Sequence, residues 1–419
     1  MSFQNEPDFL YHPFCDDFGP MNMSTTIRFI RLLKRKISEC AALSMQRLVY
    51  CADSGKRGLT NSVMLLGSYM ILVLDMTPIQ VAERFASISK DQLEHFRDVT
   101  HCPPDFGLSL LDCWGGLHRG KQRGWIARPA DLESPFWGDF DVEQYEHYDD
   151  PLEADLNEIV PLKLIAFRGP KHLGGAKFLD NEQRCVRSFG AEHYAEVLAD
   201  VDVSDVVRLN EPEYDAGVFE AAGIRHHDLV FEDCTEPPGD VVAAFFRIVD
   251  AARGVVAVHC LAGLGRTGTL IALYMMRSHG FTAREAMGWL RVMRPGSVIG
   301  DQQRFLCTVE RIRDQRSAAR RALFSPAARS APDLLHLLDQ EQVSAPSPAA
   351  GPGLHPGLAL ARACSLDDAG VREGLGRAGG PEEAAAERAQ AQAAQVAAAL
   401  GAQSAARIQA GRAGRAGRL

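Results

Sequence analysis

The stretch Val258–Thr269 reads "VHCLAGLGRTGT". It follows "GVVA", so Val255, Val256 and Val258 form a β-branched run of the kind found in a buried strand. It leads into "TGTLIALYMMRSH" (267–279), apolar at helical spacing. The segment between strand and helix is therefore a tight loop from Cys260 to Arg266, with five residues between the two. Gly263 and Gly265 let the backbone turn with its N–H groups pointing inward. A loop running into a helix N-terminus favours an anion, because unpaired amides and the helix dipole converge there.

The same strand–turn–helix pattern recurs on both sides. "LIAF" (164–167), "DVVRLN" (205–210), "HHDLVF" (226–231) and "GVVAVHC" (254–260) read as strands. "GAEHYAEVLAD" (190–200), "DAGVFEAAG" (215–223), "PGDVVAAFFRIVDAA" (238–252), "TAREAMGWLRVM" (282–293) and "DQQRFLCTVERIRDQ" (301–315) read as helices. Nearer the start, "STTIRFIRLLKRKI" carries an apolar stripe of Ile27, Ile30, Leu33 and Ile37. "RLVYCA" is a short strand, "SVMLLGSYMILVL" a buried helix, and Thr77-Pro78 opens another helix as N-cap and first residue. Strands alternating with helices predict an α/β fold, a central sheet flanked by helices. After about Ser325 aromatics vanish and Ala, Gly and Pro dominate, which predicts a disordered tail with a basic end, "RIQAGRAGRAGRL".

The chain has 419 residues, 46% hydrophobic and 24% charged, with net charge −9, which argues against wholesale nucleic-acid binding. The longest apolar run, Val63–Met76, is too short to span a bilayer. Ten cysteines without CxxC spacing, and a polar start with no signal peptide, predict reduced thiols in the cytosol or nucleus, with centrosome, spindle and cilium open. No metal or cofactor is expected, and the oligomeric state is left open.

The loop residues imply a chemistry. The helix field is expected to lower the pKa of Cys260 and make it a thiolate. Arg266 offers a planar fork for two phosphate oxygens, and Thr267 a donor for the sulfur. Leu261, Ala262, Gly263, Leu264 and Gly265 form the phosphate-holding loop. These parts describe attack of sulfur on phosphorus through a cysteinyl-phosphate. A proton donor must serve the departing oxygen. Asp233 in "HHDLVFEDCTEPPGD" is the candidate, with Glu232 and Glu236 as rivals. Asp228 falls in the strand and Asp240 at the start of the next helix. Gln302 or Gln303 in "PGSVIGDQQRF" is placed to hold the hydrolytic water. A second CxxxxxR, "CADSGKR" (51–57), also sits between strand and helix. It has Tyr50 where a His would stand, Gly58 in place of a hydroxyl residue, and Asp53 in a loop meant for a dianion. It reads as the inactive relic of a duplicated domain.

Together, "AVHCLAGLGRTGTLIALYMM", "RPGSVIGDQQRFL", "DVVRLN", "LIAFRGP", "EQYEHYDDPLEADLNEIVP" and "DFGPMN" resemble the dual-specificity phosphatases of cell-division-cycle-fourteen type, in the protein-tyrosine-phosphatase superfamily. The resemblance runs from about Phe14 to Arg316. It implies two tandem phosphatase-like domains: residues 1–145 as a non-catalytic domain A, 146–170 as linker, 171–322 as catalytic domain B, and 323–419 as tail. The family's first strand before "DFGP" looks missing or truncated. The resemblance further implies action on phosphoserine-proline sites made by cyclin-dependent kinases, with a basic residue favoured three positions beyond. Cys260 matches the nucleophile, Arg266 the phosphate-binding arginine, Asp233 the general acid and Gln302 the water-positioning glutamine. Glu146 and Asp149 match the acidic pair that receives the basic substrate residue, and Tyr148 lies between them in sequence. Leu261 departs from the family's usual Lys and removes a positive charge from the loop rim. The alternatives are a phosphoinositide phosphatase, which Leu261 and Leu264 disfavour, and a binding module with dead chemistry, which the intact Cys260, Asp233, Arg266 and Thr267 disfavour.

Overall fold

The computed structural model describes residues 1–5, 9–100, 105–181 and 186–323. The N-terminal half runs β1 (Ser2–Gln4), α1 (Met23–Ala42), β2 (Val49–Cys51), α2 (Gly55–Leu72), α3 (Pro78–Arg84) and α4 (Leu110–Gln122). β3 (Phe136–Trp137), β4 (Phe140–Asp141) and α5 (Val142–Asp149) lead to the C-terminal half. There follow β5 (Leu156–Val160), β6 (Leu164–Phe167), β7 (Phe178–Asn181), β8 (Val186–Phe189), α6 (Ala191–Asp200), β9 (Val203–Arg208), α7 (Gly217–Ala221) and β10 (Arg225–Asp228). The half closes with α8 (Gly239–Ala251), β11 (Val255–His259), α9 (Gly265–Tyr274), α10 (Ala283–Met293) and α11 (Asp301–Leu323).

The main sheet has the order β10-β9-β11-β6-β5, parallel except for β5, which pairs antiparallel with β6. β11 is buried along its whole length, as an unbroken apolar run requires. Val256 and Val258 face one core with α9 and α10; Val255 and Ala257 face a second core with Tyr194, Leu198 and Phe219. β5 and β6 come from residues assigned above to the linker, so the sheet of the catalytic half begins ahead of residue 171. The linker bounds are what the family resemblance implies, although "LIAF" (164–167) itself reads as a strand; the acidic run ends at Asp155, and the apolar residues after it take the sheet edge.

The two halves share one core. Met64, Ile71, Trp114 and Leu117 of the first half pack in the same cluster as Met287, Trp289 and Leu290 of the second. α4 lies directly on α10, and a Cβ at Gly116 would sit 2.4 Å from Glu285 O and 2.5 Å from Trp289 N. Only glycine permits that approach. The Trp289 indole N–H donates to Ile159 O (2.9 Å), tying the crossing to β5.

α1 starts where Asn22 accepts from Thr25 N (2.9 Å). Its stripe buries Ile27, Ile30 and Leu33, but Ile37 is exposed, because the apolar face loses its partner in the last turns. Thr77 caps α3 as expected, with Gln80 completing the capping box. β1 pairs in parallel with β2, placing three strand residues ahead of Asp17–Pro20, where the sequence reading had a strand missing or cut short. Among the described residues no helix is long and apolar enough to cross a membrane. The expected tail, from residue 324 onward, lies outside the described residues.

Candidate active site

β11 delivers Cys260 to a loop whose carbonyls are all engaged. Cys260 O accepts from His259 Nδ1 (2.9 Å) and Leu261 O from Gly169 N (3.0 Å). Ala262 O and Gly263 O both accept from Arg294, through Nη2 and Nε at 3.0 Å each. Leu264 O accepts from Gly268 N (3.0 Å) and Val298 N (3.2 Å). In a planar trans peptide the carbonyl and the next N–H point in opposite directions. Tying five carbonyls to the surroundings therefore turns the following amides into the loop. Among the described residues, the amides of Leu261, Ala262, Gly263 and Leu264 donate to no protein acceptor. Such an inward ring, continuing into the N-terminus of α9, is an anion site. Gly263 makes the turn possible: its φ is +68°, and a Cβ there would lie 2.1 Å from Phe167 O.

Arg266, 5% exposed, is steered by Phe231 O (2.9 Å) and Leu209 O (3.3 Å), both accepting from Nη1. Its Nε lies 3.1 Å from Asp233 Oδ1, an ion pair without hydrogen-bond alignment. Asp233 also accepts from Cys234 N (2.9 Å), on a backbone whose φ at Cys234 is +57°. The rivals separate clearly. Glu232, Glu236 and Asp240 are exposed, and Asp228 is taken up by Arg208 (2.6 and 3.0 Å). Asp233 is thus the carboxylate that the structure brings to the arginine.

The two glutamines separate as well. Gln303 Oε1 accepts from buried Arg291 (2.6 Å). Gln302 donates to Thr235 O (3.1 Å) and leaves its Oε1 buried without a partner; a Cβ at Gly265 would lie 3.1 Å from that oxygen. Gln302 therefore lies against the loop, and Gln303 serves the core. Thr267 is fully buried, and its hydroxyl has no partner among the described residues, so the expected bond to the Cys260 sulfur is not formed here. Sulfur is a weak acceptor, and a hydroxyl left open this way costs about 1–3 kcal/mol. Open polar atoms on Arg266, Thr267 and Gln302 therefore surround one loop. Among the described residues no group of three or more metal-ligating side chains occurs.

Behind the loop, His259 Nε2 meets Tyr214 Oη at 2.7 Å, and Tyr214 Oη meets His226 Nε2 at 2.9 Å. The carbonyl of Cys260 can only accept, so Nδ1 of His259 carries the proton. Burial pushes His259 down to about 3, so its Nε2 is bare and accepts from the tyrosine O–H. The tyrosine oxygen then accepts from His226, which burial and Arg208 push down to about 4. Sequence reading missed this chain, since nothing in the spacing of 214, 226 and 259 announces it. Both histidines fold neutral against an ordinary value near 6.5, so their stability contribution is complete above that pH and is lost as pH falls toward the folded values. His259 alone is expected to lose about 2 kcal/mol of folding stability between pH 6.5 and 5. Urea unfolding at the two pH values measures it, and a slope unchanged in His259→Asn would reject the assignment.

The acidic stretch on α5 is partly engaged. Glu146 Oε1 accepts from Ser24, and Asp149 from Asn22 (3.2 Å) and Asn157 (2.9 Å). Both carboxylates therefore meet the N-terminus of α1, where a negative charge is favoured. Tyr148 is half-buried, its ring beside His147, and burial raises its phenol above the usual range. The "CADSGKR" loop does lie between strand and helix, but Arg57 is taken by Glu94 Oε1 and Asp16 Oδ1, both at 2.9 Å. Asp53 accepts from Asn5 (2.7 Å) and Cys51 is exposed.

A cysteine and an arginine on one amide-lined loop, under a carboxylate loop, define the phosphatase-domain class of the protein-tyrosine-phosphatase superfamily. Two family descriptions match: "Dual specificity protein phosphatase, N-terminal half" over residues 1–120, and "Swiss Army Knife protein, DSP-PTPase phosphatase domain" over 185–331. Dual specificity protein phosphatase CDC14AB of Danio rerio is 36% identical over 73% of this chain and 47% of its own length. CDC14C of Homo sapiens is 34% identical over 77% of this chain and 71% of its own, and the CDC14 homolog of Schizosaccharomyces pombe 34% identical over 73% and 55%. The chain belongs to the CDC14-type dual specificity protein phosphatase family. It spans about half the length of the first of these relatives.

Proposed function

We propose that this protein is a cysteine-dependent protein phosphatase acting on phosphoserine and phosphothreonine followed by proline, and on phosphotyrosine, with a basic residue downstream. The observation that carries the reading is the loop itself: four inward amides without protein acceptors surround Cys260, with Arg266 at the rim. A phosphate dianion supplies what those donors lack, and it replaces Asp233 as the partner of the guanidinium. The Cys260 sulfur attacks phosphorus, the ester P–O bond breaks, and the proton of Asp233 passes to the departing oxygen. Water held by Gln302 Oε1 then attacks phosphorus, the S–P bond breaks, and Asp233 takes the water's proton. Leu261 and Leu264 put apolar side chains where a phosphoinositide enzyme would gather lysines, which favours a single phosphate on a peptide.

The basic-residue preference is supported by Glu146 and Asp149, the second of which is wired to the loop through Asn157 and Arg294. Substrates of this description are those made by cyclin-dependent kinases, which the phosphatase would counteract. The test is a phosphopeptide panel with Lys or Ala three residues beyond phosphoserine-proline. Glu146→Lys is expected to lower kcat/KM on the Lys peptide about tenfold, on the scale of one partly exposed charge pair reversed, and to leave nitrophenyl phosphate unchanged. An unaltered peptide ranking would remove the acidic pair from the groove.

A further inference from the structure

Resting on that reading of the loop, we infer that Arg294 is a positioning residue: it holds the phosphate loop open toward the anion and joins it to the acidic substrate groove. Arg294 is 4% exposed and stands at the end of α10, outside the Cys260–Arg266 loop. A guanidinium has five N–H donors. Here each has an acceptor: Nε on Gly263 O (3.0 Å), Nη2 on Ala262 O (3.0 Å) and Asp155 Oδ1 (2.8 Å), Nη1 on Asp155 O (3.1 Å) and Asn157 Oδ1 (2.7 Å). No donor is left for a ligand, so Arg294 does not touch phosphate. It acts through peptide planes. Two of the carbonyls it grips precede the amides of Gly263 and Leu264, and with the grip lost those planes can rotate and withdraw both donors from the anion.

The same side chain reaches the groove. Asn157, on β5, accepts from Arg294 and donates to Asp149 (2.9 Å), which also accepts from Asn22 at the cap of α1. One unbroken series of polar contacts thus runs from the N-terminal half through the acidic residue to the catalytic loop. Lysine cannot replace this arginine, because three donors leaving one nitrogen cannot reach two loop carbonyls, Asp155 and Asn157 together.

The experiment compares Arg294→Lys and Asn157→Ala with the wild-type full chain. Competitive inhibition by inorganic phosphate reads the amide ring, the protection that phosphate gives Cys260 against alkylation by iodoacetate reads it without turnover, and circular dichroism with melting reads the fold. Arg294→Lys is expected to weaken phosphate inhibition at least tenfold and to lower kcat about a hundredfold, the scale of losing an oxyanion donor, with phosphate protection of Cys260 against alkylation weakened alongside. Asn157→Ala is expected to weaken phosphate inhibition about fivefold, the equivalent of one ordinary hydrogen bond, and to narrow the discrimination between Lys and Ala peptides. Folded variants with wild-type phosphate inhibition and wild-type phosphate protection of Cys260 overturn the inference. If Arg294→Lys does not fold, Asn157→Ala decides it by the same two readouts. A wild-type protein that binds phosphate but hydrolyses no phosphoester overturns the proposed function instead, and phosphate protection of Cys260 against alkylation, which needs no turnover, still judges Arg294.

Discussion

Replacing Cys260 with Ser is expected to lower hydrolysis of every phosphoester by at least about 10⁴-fold, the usual scale for removing a nucleophile. A serine hydroxyl stays protonated near neutral pH and is a far weaker nucleophile than a thiolate. The fold should survive. The residue is 3% exposed, oxygen is smaller than sulfur, and the loop is held by backbone carbonyls on His259, Gly169, Arg294, Gly268 and Val298. Phosphopeptide binding should survive for the same reason, since the amides and Arg266 remain. Cys51→Ser is the internal control. Its loop has the same spacing, yet Arg57 is already paired with Glu94 and Asp16, so activity should change by less than a factor of about two, the range of a neutral surface substitution. Rapid acid quench with labelled phosphopeptide gives the direct reading: wild type traps a phospho-enzyme and Cys260→Ser does not. Equal losses in the two cysteine variants would refute the one-site account.

Asp233→Ala should divide substrates by leaving group. Serine and threonine alkoxides are poor leaving groups, so without a proton donor kcat on phosphoserine peptides should fall about 10²–10⁴-fold. Nitrophenolate leaves readily unprotonated, so its hydrolysis should fall less than about tenfold. The motivating geometry is the position of Asp233 over the Arg266 guanidinium at 3.1 Å, while Glu232 and Glu236 stay exposed. The variant also removes a negative charge from beside Arg266, so phosphate inhibition should not weaken. Parallel losses on the two substrate types would point to another acid, with Glu232→Ala and Glu236→Ala as the next variants to assay.

Most of the local structure was legible in the sequence because its causes are local. A β-branched run, a glycine-bearing turn and an apolar helical stripe are each decided by neighbours within a few residues, and β11, the Cys260 loop and α9 form where that pattern predicts. Cap residues behaved likewise, as Thr77 shows. The expectation failed where the cause was remote. Ile37 fits the stripe of α1 but is exposed, and "LIAF" (164–167) reads as a strand while nothing local says that 156–160 pairs beside it at the sheet edge.

The site divides along the same line. Spacing alone put Cys260 and Arg266 on one loop, since five intervening residues and two glycines leave the chain little choice. Spacing alone left Glu232, Asp233 and Glu236 in competition, and Gln302 beside Gln303, because adjacent residues on a loop or helix start differ only in which way they point. The tertiary structure sets them against different partners: Asp233 faces Arg266, Gln303 accepts from Arg291, and Gln302 keeps a buried, unpartnered Oε1 close against Gly265. It alone revealed Arg294 and Asn157, and the His259–Tyr214–His226 chain. Their partners lie from eight to more than a hundred residues away along the chain, and a hydrogen bond depends on distance and direction in space, neither of which a sequence pattern records.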